Sequence, residues 1–355
     1  MREMGHIDAP KLNHLTMIDE HRLELYWDQE VEHSDVSKDY AVFLNQIPLD
    51  IERSRATEDE QWSVRPVYES HKKRTTLFLN EKIKKTQLDT LFVKIVGRVK
   101  NPDGLFASTD VLYTVKHWQD FYSLFTRTDS KIIIKSSLNV SREAHRKAAE
   151  IIDKQLQKIP QVAKVMESYQ AELAIYGKNE DSYDIPEHRG GADILNRPVE
   201  GFGGVPDNPV TSISDKNILR IMEGPNQTRY LNECILVHEF GHAIHLIGIN
   251  NLPDPTLANE LKEAYQHAKN HHLWPNTYAI SNEEEYFATL STIWFNVMAE
   301  SKDGTWDGVR GPVNCRAELK EYDPQGYEYF SKIYEEIDLP FPWNETPVFY
   351  PQRTK

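Results

Sequence analysis

The sequence predicts two domains, an all-β sandwich over residues 1–117 followed by an α+β domain over residues 118–355. Three observations predict this. The first part consists of short runs of alternating apolar and polar residues broken by polar turns, the pattern of a two-sheet sandwich. From Trp118 onward the texture changes to strand, long amphipathic helix and strand, which argues for a mixed sheet with helices. Finally, 355 residues of which 39% are apolar and 27% charged suffice for two cores, at about 100–200 residues per domain.

In the first domain RLELYWD, Arg22 to Asp28, sets Leu23, Leu25 and Trp27 on one face. Further strands are expected at Asp39–Asn45, Gln61–Glu69, Arg74–Asn80, Asp89–Gly97 and Val111–Lys116, with a turn at Asn101-Pro102-Asp103-Gly104. In the second domain KIIIKSS, Lys131 to Ser137, reads as a strand. Ser141 then caps a helix whose Ala144, Ala148, Ile151, Ile152 and Leu156 recur at helical spacing. Pro160 closes that helix, a shorter one follows through Val165 and Met166, and AELAIYG, Ala171 to Gly177, is a second strand. Residues 183–228 are rich in Gly, Pro, Asn and Asp and read as one long irregular excursion. Helical patterns resume at Asn232, with another helix near Thr256–Asn270.

Composition excludes several functions. With 41 basic against 55 acidic residues the net charge is −14, so the chain is not expected to coat nucleic acid through its global field. No apolar run is long enough for a membrane span, and the polar start lacks the apolar core of a signal peptide. Cys234 and Cys315 are read as unpaired small hydrophobes. A monomer is the default oligomeric state.

The chemistry concentrates in Leu231 to His245, which contains H-E-x-x-H as His238-Glu239-Phe240-Gly241-His242. On a helix the two histidines differ by about 40° around the axis, so both imidazoles leave one face a turn apart. Two neutral imidazoles so placed share one tetrahedral ion, while Glu239, about 100° from His238, reaches past it as a proton acceptor. The flanking Ile235, Leu236, Val237, Ala243, Ile244, Leu246 and Ile247 make the helix almost wholly apolar, where unpartnered polar groups are costly. Gly248 is expected to cap it. His245 falls one turn further on and is assigned to packing or support. The cluster His267, His271 and His272 reads as a polar helix end.

A hydrolytic zinc site needs a third protein ligand and an open fourth position. The sequence H-E-x-x-H-x-x-G-x-x-H is not present, because His245 and Gly248 occupy the diagnostic positions. Downstream, Ser281 or Asn282 is an N-cap, Glu283 and Glu284 fall in the solvated first turn, and Glu285 stands where the helix turns apolar. Glu285 is therefore the expected third ligand.

HEFGH together with Tyr278, Glu285 and the following Tyr286-Phe287-Ala288 resembles the gluzincin metalloproteases of the anthrax lethal factor catalytic-domain type, which include the bacterial Pro-Pro endopeptidases. The resemblance covers residues 130–335 and implies a zincin-type fold. It implies Zn2+ held by His238, His242 and Glu285, Glu239 as general base, and Tyr278 as the oxyanion donor seven residues before the third ligand. One departure stands out: Thr289 occupies the place where the family carries an acid that orients the first histidine, with Glu233 a possible substitute. In the first domain the opening Ala9-Pro10-Lys11-Leu12, the L-x-L-x-W-D strand and the run Tyr40 to Asn45 are similar to bacterial immunoglobulin-like modules.

The expectation is thus a secreted zinc endopeptidase acting on polypeptide, an immunoglobulin-like sandwich preceding a zincin-type domain. The alternatives are an inactive metalloprotease-like binding module and an effector-type protease dedicated to one partner protein. The glycine run Gly203-Gly204, with the strand before it, is a candidate edge for binding extended peptide, and Arg316 a candidate partner for a carboxylate.

Overall fold

The computed structural model describes residues 8–18, 20–57, 74–119, 121–191, 198–206 and 208–348. It is a mixed α/β protein with three sheets, and the chain divides into compact units at Met1–Tyr122 and Ser123–Lys355.

In the first unit β1 (Leu12–Met17), β2 (Arg22–Trp27), β5 (Ile51–Thr57), β6 (Arg74–Leu79) and β9 (His117–Trp118) form one sheet in the order β5-β6-β2-β1-β9. The second sheet runs β4-β3-β7-β8, from β3 (Tyr40–Leu44), β4 (Ile47–Leu49), β7 (Leu91–Ile95) and β8 (Leu112–Thr114). Neighbours pair antiparallel except β1 with β9, where Thr16 meets His117. The two sheets share a core: Leu15, Met17, Leu23 and Leu25 from one join Val42, Leu91, Val93 and Ile95 from the other. The expected strand Gln61–Glu69 lies outside the described residues. Pro48 is tolerated because β4 is an edge strand.

The second unit is built on a sheet ordered β10-β11-β12-β14-β13. β11 (Ile133–Ser136), β12 (Glu172–Tyr176) and β14 (Val210–Ser214) are parallel, while β10 (Leu124–Arg127) and β13 (Gly201–Phe202) run antiparallel at the edges. Between β11 and β12 come α1 (Arg142–Leu156), capped by the Ser141 hydroxyl, and α2 (Pro160–Ser168), which Pro160 opens as its first residue. The expected irregular excursion is corrected here: it contains β13, β14 and the short α3 (Asp215–Ile218). Val-Thr-Ser-Ile-Ser does not look like a core strand, yet all five residues of β14 are buried between two neighbours. The remaining helices are α4 (Ile235–Ala243), α5 (Thr256–Asn270), α6 (Glu283–Trp294), α7 (Arg316–Tyr322) and α8 (Pro324–Ile333).

Gly248 is not a cap. The chain continues from α4 through a π-helical turn, Ile244–Gly248, and a 3-10 turn, Ile249–Asn251. The Asn251 amide closes the segment by donating to the carbonyls of Leu246 and Ile247, each at 2.9 Å. Gly248 is instead a point of close approach, since a Cβ there would lie 2.4 Å from Val162 Cγ1 on α2. Among the described residues no helix is long and apolar enough to cross a membrane.

Candidate metal centre

α4 starts without a local cap, because Cys234 stands at its N-cap and offers no capping hydrogen bond. Asn217, on α3, substitutes from a distance: its Oδ1 accepts from the Ile235 N–H at 2.9 Å and its amide donates to the Glu233 carbonyl at 3.0 Å. This pins the frame in which His238 and His242 sit one turn apart. Their rings are nearly perpendicular, at 83°, and their Nε2 atoms face each other at 3.3 Å.

The partner helix arrives through a glycine. Gly241 packs against α6, where a Cβ would meet Ala288 Cα and Ser291 Oγ at 3.4 Å. That close approach sets Glu285, one turn before Ala288, opposite the histidines. Asn282 caps α6 by accepting from the Glu285 N–H at 2.7 Å. The N-x-x-E sequence has the form of a capping box, in which the glutamate would reach back to the cap. Instead its carboxylate turns to the histidines, with Oε2 3.3 Å from His238 Nε2 and Oε1 3.8 Å from His242 Nε2. Among the described residues, this is the group whose donor atoms all lie within 4.8 Å of one another.

These separations test whether an ion fits. Donors at about 2.0–2.1 Å from a tetrahedral ion stand about 3.3–3.4 Å apart. The His238–His242 and His238–Glu285 Oε2 separations, each 3.3 Å, match two such edges, while the 3.8 Å approach to His242 is made by the other carboxylate oxygen, Oε1. Glu285 Oε2 is buried and makes no well-formed hydrogen bond despite its 3.3 Å approach to His238 Nε2, so a cation would satisfy it.

Burial alone would lower His238, but contact with Glu285 and the charges of Glu285, Glu239 and Glu233 raise it to about 9. Burial would raise Glu285, and the same contact with His238 overrides it, holding the carboxyl at about 2. Burial, then the charge on His238, drives His242 down to about 3, leaving a neutral imidazole. Glu239 is pushed up to about 7, chiefly by burial and then, against the pull of His238, by Glu285, Glu233 and Glu200. Loss of the His238 proton leaves two neutral imidazoles and a carboxylate, the donor set of a hydrolytic zinc site.

The edge strand β13 runs against this centre. A Cβ on Gly201 would lie 3.0 Å from Glu239 Cγ, and one on Gly203 only 2.5 Å from His242 Cβ. Tyr278 opens the turn Tyr278–Ile280 before α6, half exposed at 52%, its N–H 3.5 Å from the Val309 carbonyl.

Other assignments change. Glu233 accepts from Arg310 Nε at 2.6 Å and acts on His238 and Glu239 through its charge, while Thr289 is buried. Glu283 is not simply solvated, because its Oε1 lies 3.3 Å from Nε2 of His245. Burial raises the Glu284 carboxyl too. His245 is buried and stacked on Phe287 at 5.3 Å, outside the donor group. Among the described residues Arg316 meets no carboxylate: it donates to the Trp294 carbonyl at 3.1 Å and lies over that indole. Both cysteines are free. Asn217, Glu200 and Arg310 were not legible as parts of this centre, since none lies near the H-E-x-x-H motif in a recognisable pattern.

No protein family matches the chain, and no curated protein does. Among solved structures it is similar to the bacterial S-layer protein rSbsC(31-844), 14% identical over 35% of this chain and 16% of that one, with a TM-score of 0.26. It is also similar to yeast LTA4 hydrolase in complex with bestatin, 9% identical over 94% of this chain and 63% of that one, TM-score 0.22. A thermostable esterase is 10% identical over 35% of this chain and 40% of its own, TM-score 0.21. The chain thus spans less than two thirds of each of these structures.

Proposed function

We propose that this chain is a zinc-dependent endopeptidase of the gluzincin type, a zincin-type domain preceded by an immunoglobulin-like module. His238, His242 and Glu285 hold the ion, Glu239 is the general base, and Tyr278 donates to the oxyanion. The observation that carries the reading is the convergence of two imidazoles and a carboxylate from α4 and α6, with donor atoms all within 4.8 Å of one another. A divalent ion bound there supplies Lewis acidity, polarising a carbonyl and making water a better nucleophile at neutral pH.

The remaining work belongs to protein groups. Glu239 takes a proton at its carboxylate and returns it to a leaving amine. The exposed Tyr278 phenol donates to developing oxyanion charge, a role worth about 10²–10³ in rate. Gly201 of β13 and Gly203 just after it leave room for the backbone to lie close to Glu239 and His242, and β13, outermost in its sheet among the described residues, is the edge we assign to an extended peptide.

The test compares wild type with Glu239→Gln on a denatured protein substrate, with bound zinc measured in both. The expected result is chelator-sensitive cleavage by wild type and loss of at least about 10²-fold in the variant, with zinc retained. Equal turnover in the two, including none in either, would overturn the enzymatic reading and leave a metal-holding binding module.

A further inference from the structure

Asp323 stands at the N-cap of α8 and is fully buried. Capping takes one of its oxygens, for Oδ1 accepts from the Gly326 N–H at 3.0 Å. Burying the whole carboxylate is costly unless donors also meet the other oxygen. Here they come from two elements distant in the chain. Oδ2 accepts from the Trp274 indole Nε1–H at 2.9 Å and from the Tyr286 hydroxyl at 2.7 Å.

Each donor leads to a different part of the candidate centre. Tyr286 directly follows Glu285 on α6, so its phenol anchors the first turn of the helix that presents that carboxylate. Trp274 lies in the segment leading to Tyr278. The Thr277 hydroxyl donates to the Trp274 carbonyl at 2.7 Å, and the Trp274 N–H donates to the Tyr322 hydroxyl at 2.9 Å. The backbone there is strained: His272, Trp274 and Asn276 have φ of 55°, 56° and 54°, in the left-handed region where a bulky residue such as tryptophan is an outlier. Such a conformation persists only where its surroundings over-determine it, and the bonds to Asp323 and Tyr322 supply that. α8 makes room for the cluster with a glycine. A Cβ on Gly326 would lie 2.6 Å from the Tyr286 hydroxyl and 2.9 Å from Asp323 Oδ2, which accounts for a residue otherwise unfavourable inside a helix.

We propose that Asp323 is a positioning residue that holds Glu285 and Tyr278 in one frame, the first through Tyr286 and the second through Trp274. The proposal rests on the zinc endopeptidase reading. One carboxylate then sets both the third ligand and the oxyanion donor, so its loss moves metal affinity and turnover together, whereas loss of a single donor moves one of them.

The test measures zinc affinity by competition with a chromophoric chelator, kcat on denatured casein and the melting temperature of the metal-free chain. Tyr286→Phe is expected to weaken zinc about tenfold, and Trp274→Phe to lower kcat about tenfold with zinc affinity unchanged. Asp323→Asn, which keeps the side-chain shape, is expected to do both, and Tyr286→Phe added to it costs no further zinc affinity. Ile333→Val, at the buried far end of α8, is the control: it lowers the melting temperature and moves neither readout. Zinc affinity in Asp323→Asn within about twofold of wild type, or an equal loss in Ile333→Val, would overturn the proposal and leave Asp323 as a helix cap. A wild type that binds zinc but cleaves nothing would overturn the Tyr278 half, with the zinc measurements deciding the Glu285 half. A wild type that binds no zinc would overturn the underlying reading, and this proposal with it.

Discussion

Replacing Gly203 by alanine tests how the edge strand and the metal centre depend on each other. A Cβ there would lie 2.5 Å from His242 Cβ and 2.9 Å from its Cγ and Cδ2. Carbon atoms rest about 3.5–4.0 Å apart, so roughly 1 Å of separation must be created. The contacting atoms are the root of the imidazole, so no flexible side-chain end can absorb the shift. Metal-ligand distances tolerate about 0.2 Å, and displacing a ligand by several times that is expected to weaken zinc at least as much as losing an outer hydrogen bond, about 10–100-fold. Overpacking adds about 1–3 kcal/mol of destabilisation. Gly204→Ala is the control: its Cβ meets Thr211, Pro209 and Ile247 at 3.2–3.4 Å, contacts that need only tenths of an ångström. Zinc affinity of all three proteins is measured by competition with a chromophoric chelator, with circular dichroism reporting the fold. If Gly203→Ala holds zinc as tightly as Gly204→Ala and wild type, β13 does not seat against His242 and this account of the centre is wrong.

Asn217→Ala removes the acceptor for the Ile235 N–H and the donor to the Glu233 carbonyl, leaving both buried groups unmet. A loss of about 2–4 kcal/mol in urea unfolding is expected, and a change within error would show that α4 needs no distant cap. His188 gives a pH dependence. Burial lowers it to about 4, with Lys135 also lowering and Glu187 opposing. Above pH 6.5 both states are neutral; between 6.5 and about 4 only the unfolded chain takes up the proton. Stability therefore falls as pH drops through that window, by about 3 kcal/mol from this group. Urea midpoints at pH 7.5 and 4.5 should converge in His188→Gln relative to wild type, and an undiminished difference would assign the acid sensitivity elsewhere.

Much of the helical framework was legible because it rests on local interactions. The Ser141 and Asn282 caps and the span of α5 are set by neighbours within one turn. The polar strand β14 was not legible, because Val210 to Ser214 shows neither alternation nor an apolar run; its burial follows from a central place in the sheet. Gly248 misled for a related reason. A glycine after a helical run usually marks its end, but here the requirement is clearance against Val162, a residue far away in sequence.

The same division runs through the candidate centre. That His238 and His242 share a helix face was readable from their spacing, since backbone periodicity places residues four apart over one another. The sequence also placed Glu285 near the start of a helix, with Ser281 or Asn282 as its cap; the structure shows the cap to be Asn282. Only the tertiary structure decided that this glutamate abandons its cap for the histidines, that Asn217 holds the motif helix, and that Gly203 abuts His242. Those are contacts between elements distant in the chain. Their geometry depends on how closely helices and strands can approach, which side-chain volumes set only once the whole unit has packed.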